Sequence, residues 1–169
     1  MSWSIPDEVV SVLRSAEKHR LAPPADGAPV LDRAGIEALV PHRGDALLLD
    51  RVTALDALRG TVVARYDLGR AAAVLAGHFP DHPVWPGTAQ VEAIGQAGLV
   101  LVRATAPARP AVGEVSLARI LGARLMTAVR PPADVEIVAR VMEDGLFTIV
   151  VGQCLVDGRI ASVAALAGA

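Results

Sequence analysis

Cysteine is almost missing from this chain. Cys154 stands alone, which excludes an intrachain disulfide and leaves a cysteine-based zinc site without ligands. Aromatic residues make up only 3% of the 169 residues, too few rings for the base stacking that single-stranded nucleic acid requires. The core must therefore be filled by Val, Leu, Ile and Ala. Neither sign of charge dominates. The net charge is −2 and the isoelectric point is near 6.1, so no global positive field draws the chain to nucleic acid or anionic lipid. No uncharged apolar run reaches the roughly 18 residues that a bilayer span needs; residues 93–102 come nearest and fall well short. The first eight residues also lack the basic stretch followed by an apolar stretch of a signal peptide. A soluble, cytoplasmic protein without nucleic-acid or membrane partners is expected, and no metal or organic cofactor is signalled.

What is present is apolar. Hydrophobic residues account for 53% of the chain and charged ones for 20%, which fits one packed domain and not a disordered segment. Val9, Val12, Leu13 and Ala16 recur at helical spacing over residues 5–20. Ser4 and Asp7 have capping-box spacing, and Pro6 sits in the tolerated first turn. The proline-rich run over residues 22–29 then breaks regular structure. The spacing predicts an appended helix and tether over residues 1–29 and a main domain over residues 30–169. Within that domain, residues 32–39 read as a short helix and residues 47–52 and 60–68 as strands. A long apolar helix over residues 88–104 is bounded by Pro86-Gly87 and by Pro107. Further strands are expected at 112–120, 124–129, 135–142, 146–156 and 160–166. Asp144-Gly145 and Asp157-Gly158 supply hairpin turns between the last three. The order implies an α+β fold, an antiparallel sheet wrapped around one long helix.

The densest group of unusual residues is Gly77-His78-Phe79-Pro80-Asp81-His82-Pro83-Val84-Trp85-Pro86-Gly87. Its prolines stiffen a loop that runs straight into the long helix. The first amides of that helix, from Gly87 and Thr88, have no intrahelical acceptor and lie at the positive end of its dipole. A carbonyl oxygen gaining negative charge could be held there, and Gly87 leaves room for its approach. Further along, Glu92 has the small or apolar neighbours Val91, Ala93 and Ile94. Gln96, one turn on, is placed to hydrogen-bond it. Such a carboxylate is expected to be partly desolvated and its pKa raised toward the range of a general acid. A loop histidine and a helix glutamate on one amide-lined pocket suit removal of a proton beside a carbonyl and protonation of a leaving group one carbon further on. That chemistry is dehydration of a 3-hydroxyacyl compound, or its reverse.

Gly77-His78-Phe79-Pro80, then Pro83-Val84-x-Pro86-Gly87, then Val91-Glu92-Ala93-x-x-Gln96-Ala97-Gly98 resemble the bacterial 3-hydroxyacyl-[acyl-carrier-protein] dehydratases of the hotdog fold. Pro41-His42-Arg43 and Leu47-Leu48-Leu49-Asp50-Arg51-Val52 are similar to that family's N-terminal signature, and the likeness runs over residues 30–166. The resemblance implies that His78 removes the α-proton, its ring oriented by a loop carbonyl such as that of Val84. It implies that Glu92 protonates or orients the departing hydroxyl and that the Gly87 amide polarises the thioester carbonyl. Phe79, Val84, Trp85, Pro86 and Gln96 would line or support the substrate pocket. The implied partners are an acyl carrier protein bearing a 3-hydroxyacyl phosphopantetheine thioester and a second copy of the chain, or a larger or mixed assembly. In the family, the His and Glu of one site come from opposite protomers.

The chain also departs from the family pattern. Trp85 stands where methionine is usual, and Thr88-Ala89 replace larger apolar residues. Leu125-Met126-Thr127-Ala128 follow Arg124 where the family carries aromatic and basic residues for carrier docking. With the appended helix, these differences lean toward a polyketide or polyene pathway over housekeeping fatty acid synthesis. Of the other histidines, His82 is read as a turn residue and His42 as architectural. Cys154 is read as a small buried hydrophobe. A hotdog thioesterase and a partner-dependent dehydratase subunit are the alternatives. The His-Phe-Pro…Pro-Gly loop weighs against the first, and the presence of both His78 and Glu92 against the second.

Overall fold

The computed structural model describes residues 5–105, 117–144 and 147–168. Among the described residues six antiparallel strands form one sheet: β1 (Arg51–Asp56), β2 (Thr61–Asp67), β3 (Leu117–Leu125), β4 (Asp134–Asp144), β5 (Phe147–Val156) and β6 (Arg159–Gly168). Their spatial order is β1-β2-β4-β5-β6-β3, so β3 closes one edge. Among the described residues four α-helices accompany the sheet: α1 (Asp7–Ala16), α2 (Arg33–Leu39), α3 (Ala72–Gly77) and α4 (Gly87–Thr105). The long helix α4 lies across β2, β4, β5 and β6. This is the hotdog arrangement.

Strand alternation sorts the core into two sides. Val135, Ile137 and Ala139 of β4, with Ala164 and Leu166 of β6, point toward α4 and meet Ala93, Ile94, Ala97 and Leu101. Val163, Ala165 and Ala167 of β6 point the other way, with Ile149 and Val151 of β5, and there they pack on Val9 and Ala16 of α1. Because α1 covers this second face, β5 and β6 are apolar on both sides. That burial explains their near-continuous Val, Ala and Leu runs.

Gln153 at the centre of β5 is wholly buried on the α1 side. Its amide accepts from Leu21 N (2.9 Å) and donates to His19 O (2.8 Å) and to Ala16 O, satisfying carbonyls that the end of α1 leaves open. Beyond the helix, Arg20 pairs with the buried Glu136, which Arg65 also holds at 2.8 Å; Arg65 in turn pairs with Asp26. Residues 5–29 are thus tied to the sheet by both apolar and ionic contacts.

Close approach sets the depth of α4. A Cβ on Gly152 of β5 would run into the Ile94 side chain and come within 2.9 Å of Val138 O. A Cβ on Gly98 of α4 would run into Val150. Glycine at these two positions lets helix and strand touch. The β5–β6 turn is Asp157-Gly158 with φ of 50° and 75°, the two left-handed residues of a type I′ hairpin.

Several boundaries differ from the expectations. Residues 47–50 are not strand. A 3₁₀ turn at Gly44–Ala46 leads into them, and they are held by Arg33, whose guanidinium donates to Gly44 O (2.7 Å), Leu49 O (3.2 Å) and Asp50 Oδ1 (3.0 Å). The two strands expected at 112–120 and 124–129 are one, β3, which ends at Leu125; residues 106–116 lie outside the described residues. Leu68, expected to end a strand, and residues 69–77, assigned no element from sequence, form a 3₁₀ turn and α3 that bury Leu68, Ala71 and Leu75. Pro6 occupies the N-cap of α1 with no side-chain capping bond, and Ser4 of the expected capping box lies outside the described residues. Asp32 does cap α2, accepting from Gly35 N at 2.8 Å. Among the described residues no helix is long and apolar enough to cross a membrane.

Candidate active site

The loop between α3 and α4 folds back on His78. Val84 N donates to His78 O (2.8 Å), His82 N donates to Phe79 O (3.1 Å), and Trp85 N donates to Val129 O (2.8 Å). This frame puts His78 Nδ1 2.9 Å from Val84 O. A carbonyl oxygen can only accept, so Nδ1 carries the hydrogen and Nε2 is left with its lone pair. Phe79 stacks on the imidazole with ring centres 4.3 Å apart and is itself 57% exposed. The ring is therefore fixed in tautomer and plane, with its basic nitrogen available.

Trp85 points inward. It is 1% exposed and stacks on Tyr66 with ring centres 5.7 Å apart. Burial pushes the Tyr66 hydroxyl above its usual range. Beside the two rings lies a small pocket of about 30 Å³, walled by Leu48, Ala89 and Val74 and reached by Arg70. Gln90 Nε2 donates to Trp85 O (3.3 Å), which ties the end of the loop to the first turns of α4.

Helix α4 opens at Gly87, and its first intrahelical bond runs from Gln90 N to Pro86 O (3.1 Å). The amides of Gly87 and Thr88 precede that bond and lie at the dipole's positive end. A Cβ on Gly87 would run into the Leu125 side chain at the end of β3, so glycine here keeps the edge strand against the helix start.

Glu92 sits on the face of α4 turned away from the sheet. Its side chain is 47% exposed in the single chain, so the desolvation expected from its sequence neighbours is not met there. Those neighbours turn inward while Glu92 turns out. Gln96 is buried one turn along and binds as expected: its Nε2 donates to Glu92 Oε1 at 2.9 Å. The same amide donates to Ala46 O (2.8 Å) and accepts from Leu48 N (2.8 Å). Gln96 therefore joins the carboxylate to the loop that follows α2.

That loop brings in a residue to which the sequence assigned no part in the site. His42 Nε2 stands 3.3 Å from Glu92 Oε1. The two lie fifty residues apart, and only the fold of residues 40–50 onto α4 joins them. The Pro41-His42-Arg43 cluster was the one available signal. Among the described residues no hydrogen bond or ion pair joins His78 to Glu92. One chain thus holds a tautomer-fixed histidine and, apart from it, a carboxylate bonded to Gln96. Pro86 lies at the junction of loop and helix, and His82 is exposed.

Residues 40–165 match the model of the FabA-like domain. The 3-hydroxyacyl-[acyl-carrier-protein] dehydratase FabZ of Campylobacter jejuni (strain 81-176) is 31% identical over 140 residues, covering 81% of this chain and 95% of that one. The FabZ of Xylella fastidiosa (strain M12) is 41% identical over 73 residues, 43% of this chain and 46% of the relative. In that stretch the chain spans about half the relative's length. Among solved structures, the dehydratase heterocomplex ApeI:P from Xenorhabdus doucetiae superposes with a TM-score of 0.61 at 19% identity, over 84% of this chain and 90% of that one. A mutant thioesterase from Pseudomonas aeruginosa gives a TM-score of 0.55, also at 19% identity, over 82% and 93%. At such identities the likeness is one of fold.

Proposed function

Because the chain belongs to the FabA-like family of hotdog proteins, with FabZ dehydratases among its relatives, we propose that it removes water from (3R)-3-hydroxyacyl thioesters on an acyl carrier protein, giving trans-2-enoyl thioesters. The observation that carries the reading is the His78 ring, whose Nδ1–H is committed to Val84 O so that Nε2 is left as the base.

In this reading the thioester carbonyl accepts from the Gly87 amide, which draws electron density from the α-carbon. His78 Nε2 takes the α-proton, and the C–H electron pair becomes the new Cα–Cβ double bond. The Cβ–O bond breaks, and the hydroxyl leaves as water after taking a proton from the Glu92 carboxyl. His78 then holds one proton more and Glu92 one fewer, and transfer through solvent resets the pair. Gln96 keeps the carboxyl in place. Phe79, Val84, Trp85 and Pro86 wall the acyl space.

The working unit is a dimer, with His78 of one copy facing Glu92 of the other. Two observations favour it. The edge strand β3 exposes Leu117, Ile120 and Leu125, and the half-exposed Glu92 sits on the open face of α4. The carrier-borne substrate places the reaction in cytoplasmic chain building of the fatty acid or polyketide type.

Complementation tests the proposal. His78→Ala and Glu92→Gln should each be almost inactive on a 3-hydroxyacyl thioester. Co-refolding the two should restore a measurable fraction, because mixed dimers hold one intact site. Full activity in either single variant would contradict the assignment, and no rescue from well-folded mixed dimers would contradict the shared site.

A further inference from the structure

We propose that His42 is a positioning residue for Glu92, working with Gln96 to fix which carboxyl oxygen carries the transferable proton. The proposal rests on the dehydratase reading of Glu92 and adds to it a residue from a different element. Two nitrogens converge on one oxygen: Gln96 Nε2 at 2.9 Å and His42 Nε2 at 3.3 Å, both from Oε1. The Gln96 amide nitrogen can only donate. For the imidazole, Nδ1 is buried and has no hydrogen-bond partner among the described residues. A hydrogen placed on Nδ1 would be buried and unpaired, which is unfavourable. The hydrogen therefore belongs on Nε2, which stands at ion-pair distance from the carboxylate oxygen without an aligned hydrogen bond.

With the Gln96 N–H bonded to Oε1 and His42 Nε2 beside it at 3.3 Å, a proton on the carboxyl is steered to Oε2. That oxygen then faces the substrate as the donor while Oε1 anchors the group. When the proton leaves, the charge that develops on the carboxylate is met by the Gln96 N–H already bonded to Oε1 and by the nearby His42 imidazole.

The surroundings hold the backbone that carries the ring. Arg43 donates to Val40 O (2.6 Å) and to His42 O (2.7 Å), clamping the backbone on either side of Pro41. Arg33 holds Gly44 O at 2.7 Å, and Gln96 itself holds Ala46 O and Leu48 N. The side chain that binds the carboxylate from the helix also secures the loop that delivers the histidine. Glu92, His42 and Gln96 form one unit.

The test uses the full-length protein and three variants: His42→Ala, His42→Gln and His42→Phe. Glutamine presents an N–H close to where Nε2 stood, whereas phenylalanine keeps the ring volume and removes the donor. His42→Ala and His42→Phe should lose about 10- to 100-fold in kcat, the scale on which misplacement of a catalytic group is felt. KM should stay within about twofold, and His42→Gln should recover most of the loss. Wild-type kcat in a folded His42→Phe variant would overturn the proposal, as would equal losses in the Phe and Gln variants. A second readout does not depend on turnover. Nitrogen-15 spectra should show the hydrogen of His42 on Nε2, with that resonance shifting in Glu92→Ala. A hydrogen on Nδ1, or no response to Glu92→Ala, would overturn the contact whatever the enzyme's reaction. A wild-type protein that dehydrates nothing, yet shows the expected spectra, would sink the dehydratase reading and with it the catalytic role of His42.

Discussion

Replacing Gln96 with leucine should both loosen the fold and slow the reaction, in amounts that can be worked from its contacts. The side chain is 1% exposed, and leucine has a similar volume, so little cavity is left. Three hydrogen bonds go: to Ala46 O, from Leu48 N and to Glu92 Oε1. Two neutral bonds at about 1 kcal/mol each and one to a charged group at about 1.5–3 kcal/mol give a loss of about 4 kcal/mol. Burying leucine in place of an amide returns about 1–2 kcal/mol. The net cost is about 2–3 kcal/mol, or about 4–12 °C in Tm for a domain of this size. Thermal unfolding gives the total, and hydrogen exchange locates it: the Leu48 amide should be protected in the wild type and exchange freely in the variant. Turnover should fall along with stability because Glu92 loses its anchor. A variant with unchanged Tm and a still-protected Leu48 amide would refute the hydrogen-bond account. One that lost stability while keeping wild-type kcat would refute the link to Glu92.

Three further outcomes follow from the packing. Burial pushes the Cys154 thiol up to about 12 from 9.0. Its contribution to stability is therefore present in full below about pH 9 and is lost as pH rises through that interval; iodoacetamide at pH 8 should label it only in denaturant. Gly152→Ala should cost about 1–3 kcal/mol by overpacking against Ile94 and Val138 O, and Ile94→Ala in the same chain should relieve part of that cost in a double-mutant cycle. Trp85→Leu should enlarge the space beside Tyr66 and Ala89 and shift preference toward longer acyl chains; equal relative rates across chain lengths would show that Trp85 does not bound that space.

Much of this was legible in the sequence because local chemistry and tertiary structure agreed. The Pro-Gly start of α4, the Asp157-Gly158 hairpin and the alternating Val135, Ile137 and Ala139 each carry their own signal. So does the approach of Gln96 to Glu92, which follows from helical spacing, whereas the bond from His78 to Val84 was implied only by the family resemblance. What was hidden depended on distant partners. Residues 47–50 have strand composition, yet Arg33 draws their backbone into a loop. The Ala-rich run before His78 becomes helix α3 only where Leu75 finds the core. The exposure of Glu92 depends on which way α4 turns against the sheet. The contact between His42 and Glu92 crosses fifty residues and has no periodicity to announce it.

The most direct test of the central claim is the mass of the acyl group after purified protein meets a 3-hydroxyacyl carrier-protein thioester. The account predicts loss of one water with the thioester intact, absent in His78→Ala. Loss of the whole acyl group, leaving free carrier thiol, would contradict it and identify a thioesterase.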